Sequence, residues 1–135
     1  MPVCEGKTFK YSNASILTYA AVAGKVESDG PYGDEFDEVI DDNKGTADTW
    51  EQAEALFQQK ALGRAMEKAG LTPEKMDLVM AGDLLNQCTG SSYGLKDYYI
   101  PFLGIYGACS SFAEGLLLAG AMVNAGYVDN AAAVT

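Results

Sequence analysis

At 135 residues and 48% hydrophobic content, the chain is the size of one ordinary domain and apolar enough to bury a core, which excludes disorder for most of its length. Nine Lys and Arg against 19 Asp and Glu leave a formal net charge of −10, which argues against a nucleic-acid backbone or an anionic membrane surface as the main partner, because either would repel it. There is no histidine, so the commonest general base and the commonest metal ligand near neutral pH are both missing.

The polar lead-in "MPVCEGKTFKYSN" lacks the apolar centre of a signal peptide, and nowhere does the chain run to the roughly 18 apolar residues that a membrane span needs. "ASILTYAAVAG" (14–24) is a short, partly β-branched apolar run closed by glycine, which predicts a buried strand around Ile16 to Val22. From about 25 to 48 glycines, Pro31 and a run of acids dominate. Glu27, Asp29, Asp34, Glu35, Asp37, Glu38, Asp41 and Asp42 read as a solvated acidic loop first, and as a cation or partner surface second.

Asp48 or Thr49 can cap a helix beginning near Trp50, with apolar residues at Trp50, Ala53, Leu56, Phe57, Leu62, Ala65 and Met66, and Gly70 stops it. Pro73 opens a short connector, and "DLVMAG" makes a second buried strand that runs into Asp83. "DLLNQCTGSSYGLKDYY" predicts a short helix interrupted by Gly90 and Gly94. "IPFLGIYGA" predicts a third strand, "SSFAEGLLLAGAMVNAG" a second long helix started by Ser110 or Ser111 and closed by Gly126, and "NAAAVT" a fourth strand. Strands alternating with helices imply an α/β fold with a mixed, mostly parallel sheet. Because the last strand is only half built at Thr135, the chain reads as a fragment of a longer protein.

Two residues stand where such a fold places ligands, past the carboxyl ends of strands. Cys109 lies in "YGACSSFAEG", at the corner between the third strand and the second long helix. Unpaired N–H groups and the dipole at a helix start favour negative charge, so this corner suits a thiolate nucleophile with an oxyanion site, an anion cradle, or a small buried residue filling a tight turn. Asp83, the first residue past the second strand, either faces the same ligand crevice or caps the short helix that follows. Asn86, Gln87 and Cys88 read as incidental to the chemistry. Three cysteines at unrelated spacings form neither a disulfide framework nor a zinc pattern and fit a reducing compartment.

"AGDLLNQ" and "PFLGIYGACSS", together with "NASILTYAAVAG", "GPYGDEFDEV" and "TWEQAEALFQQKAL", closely resemble the N-terminal part of the stage V sporulation protein AD family over nearly the whole chain. The resemblance implies a thiolase-like fold, of which residues 1–135 would be the N-terminal half, truncated within its fourth strand. It also implies the strand order 3-2-1-4, with the third strand at an edge that pairs with a second subunit in a homodimer. The family is expected to be non-enzymatic: it binds dipicolinic acid, alone or as its calcium salt, and works with the other stage V sporulation A proteins in taking it into the developing spore. That places the protein in the forespore or spore, peripheral at the inner membrane. Carried onto this sequence, the ligand-binding residues are Asp83, Cys109 and Ser110, with no cofactor and no metal assigned. The competing reading is a thiolase- or ketoacyl-synthase-type acyltransferase with Cys109 as nucleophile, for which the histidines would have to come from beyond Thr135. A third is a structural scaffold with a vestigial pocket.

Overall fold

The computed structural model describes residues 3–135. An antiparallel hairpin comes first, β1 (Val3–Glu5) and β2 (Thr8–Lys10), turned at Gly6, which adopts a positive φ of 66° that a tight two-residue connection requires. β3 (Val22–Gly24) leads into a single-turn helix α1 (Lys25–Ser28) and then β4 (Glu38–Ile40), which pairs with β3 in parallel. The long helix α2 (Trp50–Ala69) is followed by β5 (Leu78–Ala81), the short helix α3 (Thr89–Leu95), β6 (Phe102–Gly104), α4 (Ser111–Asn124) and β7 (Ala131–Val134).

The start and stop signals of α2 work as the sequence predicts. Thr49 Oγ1 accepts from Gln52 N while the Gln52 side chain accepts from Thr49 N, which is a reciprocal capping box, and Gly70 closes the helix in the left-handed conformation. The face it buries differs from the expectation at its first turn. Ala53, Gln58, Leu62 and Met66 are buried, whereas Trp50 is 55% exposed and lies under the Lys44 ammonium.

β5 is the centre of a three-stranded parallel sheet in the order β6-β5-β7. All four of its residues are buried because helices cover both faces. Val79 and Ala81 join Leu62 and Met66 of α2, Leu95 of α3 and Val134 in one cluster; Leu78 and Met80 point the other way, to Ala119 of α4 and its neighbours Leu118 and Met122. The mixed α/β architecture with parallel pairing agrees with the expected fold class and is consistent with part of a thiolase-like fold.

The expected strand order needs correcting. β5 pairs directly with β7, in register from Leu78↔Ala131 to Ala81↔Val134, so no strand from residues 16–22 lies between them. The first strand is only Val22–Gly24, and it belongs to a separate two-stranded ribbon with β4. The physical reason is where the hydrogen-bond donors of residues 11–21 go. Ser12 N and Asn13 N both donate to Asn124 Oδ1 at the end of α4, Tyr11 Oη donates to Leu117 O, and Ala21 N donates to Asp37 Oδ2. Side chains and helix carbonyls hold this run along the surface, leaving Ile16, Leu17 and Tyr19 exposed instead of buried in the sheet.

The acidic stretch, expected as a loop, contains α1 and β4, and its acids are partly paired. Lys60, Arg64 and Lys68 form one stripe of α2 at four-residue spacing: Lys60 and Arg64 both bond Glu38, and Lys68 bonds Asp37 at 2.7 Å while lying over the Tyr19 ring. These contacts fasten the β3–β4 ribbon to α2.

Candidate functional site

β5 ends at Ala81, and the chain passes through Gly82 into Asp83. The Asp83 side chain is 1% exposed, and its carboxylate accepts four hydrogen bonds: from Asn86 N and Gly90 N at 3.2 Å, from Ser91 N at 3.0 Å and from Ser91 Oγ at 2.6 Å. Two of those amides belong to the first turn of α3. The residue in the cap position, Cys88, makes no side-chain cap. Asp83 therefore caps α3 from several residues upstream, so the capping reading is right in chemistry and different in geometry. Gly90 gives the carboxylate room, since a Cβ there would lie 3.3 Å from Asp83 Oδ2.

A second carboxylate completes the hold on this loop. Glu54 of α2 accepts from Leu84 N at 2.7 Å and from Leu85 N at 3.2 Å, a role that no sequence signal gave, because it depends on α2 lying beside the loop. Leu84, Leu85, Asn86 and Gln87 are consequently exposed, with Gln87 in a left-handed conformation at φ 62°. Cys88 is half-buried and packs against β6: a Cβ on Gly104 would lie 3.0 Å from its Sγ.

The second strand end lies beside the first. Past β6, the chain runs through Ile105, Tyr106 and Gly107 into a 3-10 turn, Ala108–Ser110, that opens directly into α4. Ala108 takes a left-handed φ of 49°, an uncommon and costly conformation for a residue with a Cβ. It turns the chain sharply and leaves the Cys109 thiol and Ser110 exposed at the corner. Neither serine caps α4 in the expected way. Ser110 Oγ donates back to Gly107 O at 2.8 Å, and the fully buried Ser111 Oγ accepts from Gly107 N at 3.1 Å.

Sequence reasoning missed Glu114. It lies in the first turn of α4, and its carboxylate reaches back to the turn: a Cβ on Gly107 would lie 3.0 Å from Glu114 Oε2. A carboxylate at a helix start is itself favoured by the dipole, so the corner already holds one negative group. The available signal was the acid in the first turn after "ACSSF".

The structure thus brings Asp83, Cys109 and Ser110 to the same end of the sheet, past two adjacent parallel strands, with Cys109 and Ser110 at the surface and Asp83 beneath it. Two open clefts lie elsewhere. One of about 320 Å³ is lined by Asp77, Gly126, Tyr127, Val128 and Asp129, and one of about 250 Å³ lies between α2 and α3 at Leu56, Gln59 and Tyr93; neither includes the three predicted residues. Among the described residues no helix is long and apolar enough to cross a membrane.

Residues 6–135 match the family model of stage V sporulation protein AD, and both strand ends fall inside that span. The chain belongs to the stage V sporulation protein AD family. The Stage V sporulation protein AD of Bacillus subtilis (strain 168) is 40% identical over 120 residues, which are 89% of this chain and 36% of that relative's length. Membership identifies a sporulation protein, as the two blocks "AGDLLNQ" and "PFLGIYGACSS" led us to expect, and the family name describes no enzyme. In this member of the family, then, the Asp83 loop and the Cys109 turn stand side by side, one held by the carboxylates of Asp83 and Glu54 and the other presenting a thiol.

Proposed function

We propose that the chain supplies the strand-end half of a dipicolinic acid site in a non-enzymatic sporulation protein that aids entry of this ligand into the developing spore. The observation that carries the reading is the corner itself: Cys109 and Ser110 are exposed where α4 begins, and Asp83 fixes the neighbouring loop from below. Amide groups at a helix start favour a carboxylate ligand. Glu114 and the net charge of −10 oppose a dianion, so the ligand is held with the help of a counter-cation such as calcium or of basic groups outside these residues. Its partners in this reading are the other stage V sporulation A proteins and a second copy of the chain, at the inner membrane of the forespore.

One observation favours the acyltransferase alternative. The strained Ala108 presents an exposed thiol on a strand-to-helix turn, which is how a nucleophile is displayed. The two readings separate on Cys109→Ala. If the turn is a cradle, its backbone amides survive the substitution, and dipicolinate affinity measured by calorimetry falls only a few-fold. Complete loss of function in both Cys109→Ala and Cys109→Ser with the fold intact, together with a stable adduct on Cys109 after incubation with acyl-coenzyme A, establishes covalent chemistry instead.

A further inference from the structure

The two strand ends are joined beneath the surface by contacts that converge on Ser111. Ile105 N donates to Ala81 O at 2.9 Å, which carries the β5–β6 pairing one residue beyond the strands. At the next position, Gly82, a Cβ would lie 2.2 Å from the Ile105 carbonyl oxygen and 3.3 Å from Ser111 Oγ. Only glycine therefore lets the exit of β5 lie flush against the exit of β6 and the start of α4. From this seat the buried Ser111 hydroxyl accepts the Gly107 amide at 3.1 Å. Gly107 and Ser111 flank Ala108, Cys109 and Ser110, so this one bond spans the turn that displays the thiol. The turn contains a left-handed alanine and needs a brace, because a strained conformation persists only where its surroundings hold it.

We propose that Ser111 is the positioning residue of the Cys109 turn: its buried hydroxyl closes the turn across the strained Ala108 and seats it on Gly82, which ties the geometry of the thiol corner to the strand end that carries Asp83. The functional consequence rests on the reading of this corner as a ligand site, but the brace itself is measurable without ligand.

The experiment is amide hydrogen exchange on Ser111→Ala, with dipicolinate calorimetry alongside. Removing the acceptor should speed exchange of the Gly107 amide roughly tenfold, leave the β5 amides unchanged, and weaken dipicolinate binding by a similar factor. Ser110→Ala, which removes the hydroxyl that donates to Gly107 O but leaves the acceptor of the Gly107 amide in place, should leave Gly107 exchange as it is. If Ser111→Ala does not fold, Ser111→Cys keeps the volume with a poorer acceptor and is read the same way. Gly107 exchange identical to the parent, or rising only in step with β5, overturns the brace. If Gly107 responds while no form of the protein binds dipicolinate, the brace stands and the ligand assignment falls.

Discussion

Asp83→Ala tests whether the carboxylate beneath the site holds the fold of its loop. The substitution deletes the acceptor of four hydrogen bonds, and two of the donors, the amides of Gly90 and Ser91, lie in buried surroundings. A buried donor left unpaired costs about 1–3 kcal/mol, so these two alone amount to about 2–6 kcal/mol. Asn86 N is only part-buried, so it adds less. Against a total stability of about 5–15 kcal/mol this is a large fraction, and it corresponds to a melting temperature lower by on the order of 10–20 °C. Thermal unfolding followed by circular dichroism reads it. Asp83→Asn should rescue little, because the amide that replaces one oxygen would face N–H groups. A melting temperature within about 2 °C of the parent would refute the reasoning and would mean that Glu54, through Leu84 and Leu85, holds the loop unaided.

Two further predictions concern the ribbon and the sheet edge. The Lys60 and then the Arg64 bonds hold the Glu38 carboxyl below its usual range, and the Lys68 bond followed by the Ala21 amide does the same for Asp37. Carboxyls depressed in the folded state stabilise it above their unfolded values, about 3.9 for Asp and 4.3 for Glu, and lose that contribution as pH falls through the folded values. The melting-temperature gap between the parent and Glu38→Gln should therefore be full at pH 7 and shrink as pH falls below about 4.3; a gap as large at pH 3 as at pH 7 contradicts the assignment. Among the described residues β6 bonds only β5, and Leu103 on it is 49% exposed, so a second copy pairing at this edge should be lost in Leu103→Lys. Analytical ultracentrifugation should show a dimer that becomes monomeric in the variant, and a monomeric parent rejects edge pairing.

The sequence by itself determined what local chemistry controls. The α2 boundaries follow from Thr49, Gln52 and Gly70; β5 follows from an unbroken apolar run; the α/β class follows from the alternation; and the family follows from two short blocks around Asp83 and Cys109. Each depends on residues within a turn or a strand of one another. Only the tertiary structure decided the rest. Whether "ASILTYAAVAG" enters the sheet depends on distant groups: Asn124 takes the amides of Ser12 and Asn13 just before it and Asp37 takes the Ala21 amide within it, so β7 lies against β5 in its place. Whether Asp83 faces a ligand or its own chain depends on how the next eight residues fold back, and they bring the amides of Gly90 and Ser91 onto its carboxylate. Glu114 and Ser111 became part of the corner because a left-handed Ala108 folds Gly107 back over the start of α4, a conformation that no apolar pattern encodes. Periodicity reports which side of an element is apolar; the direction in which a turn sends the next element is set by contacts between residues far apart in the chain.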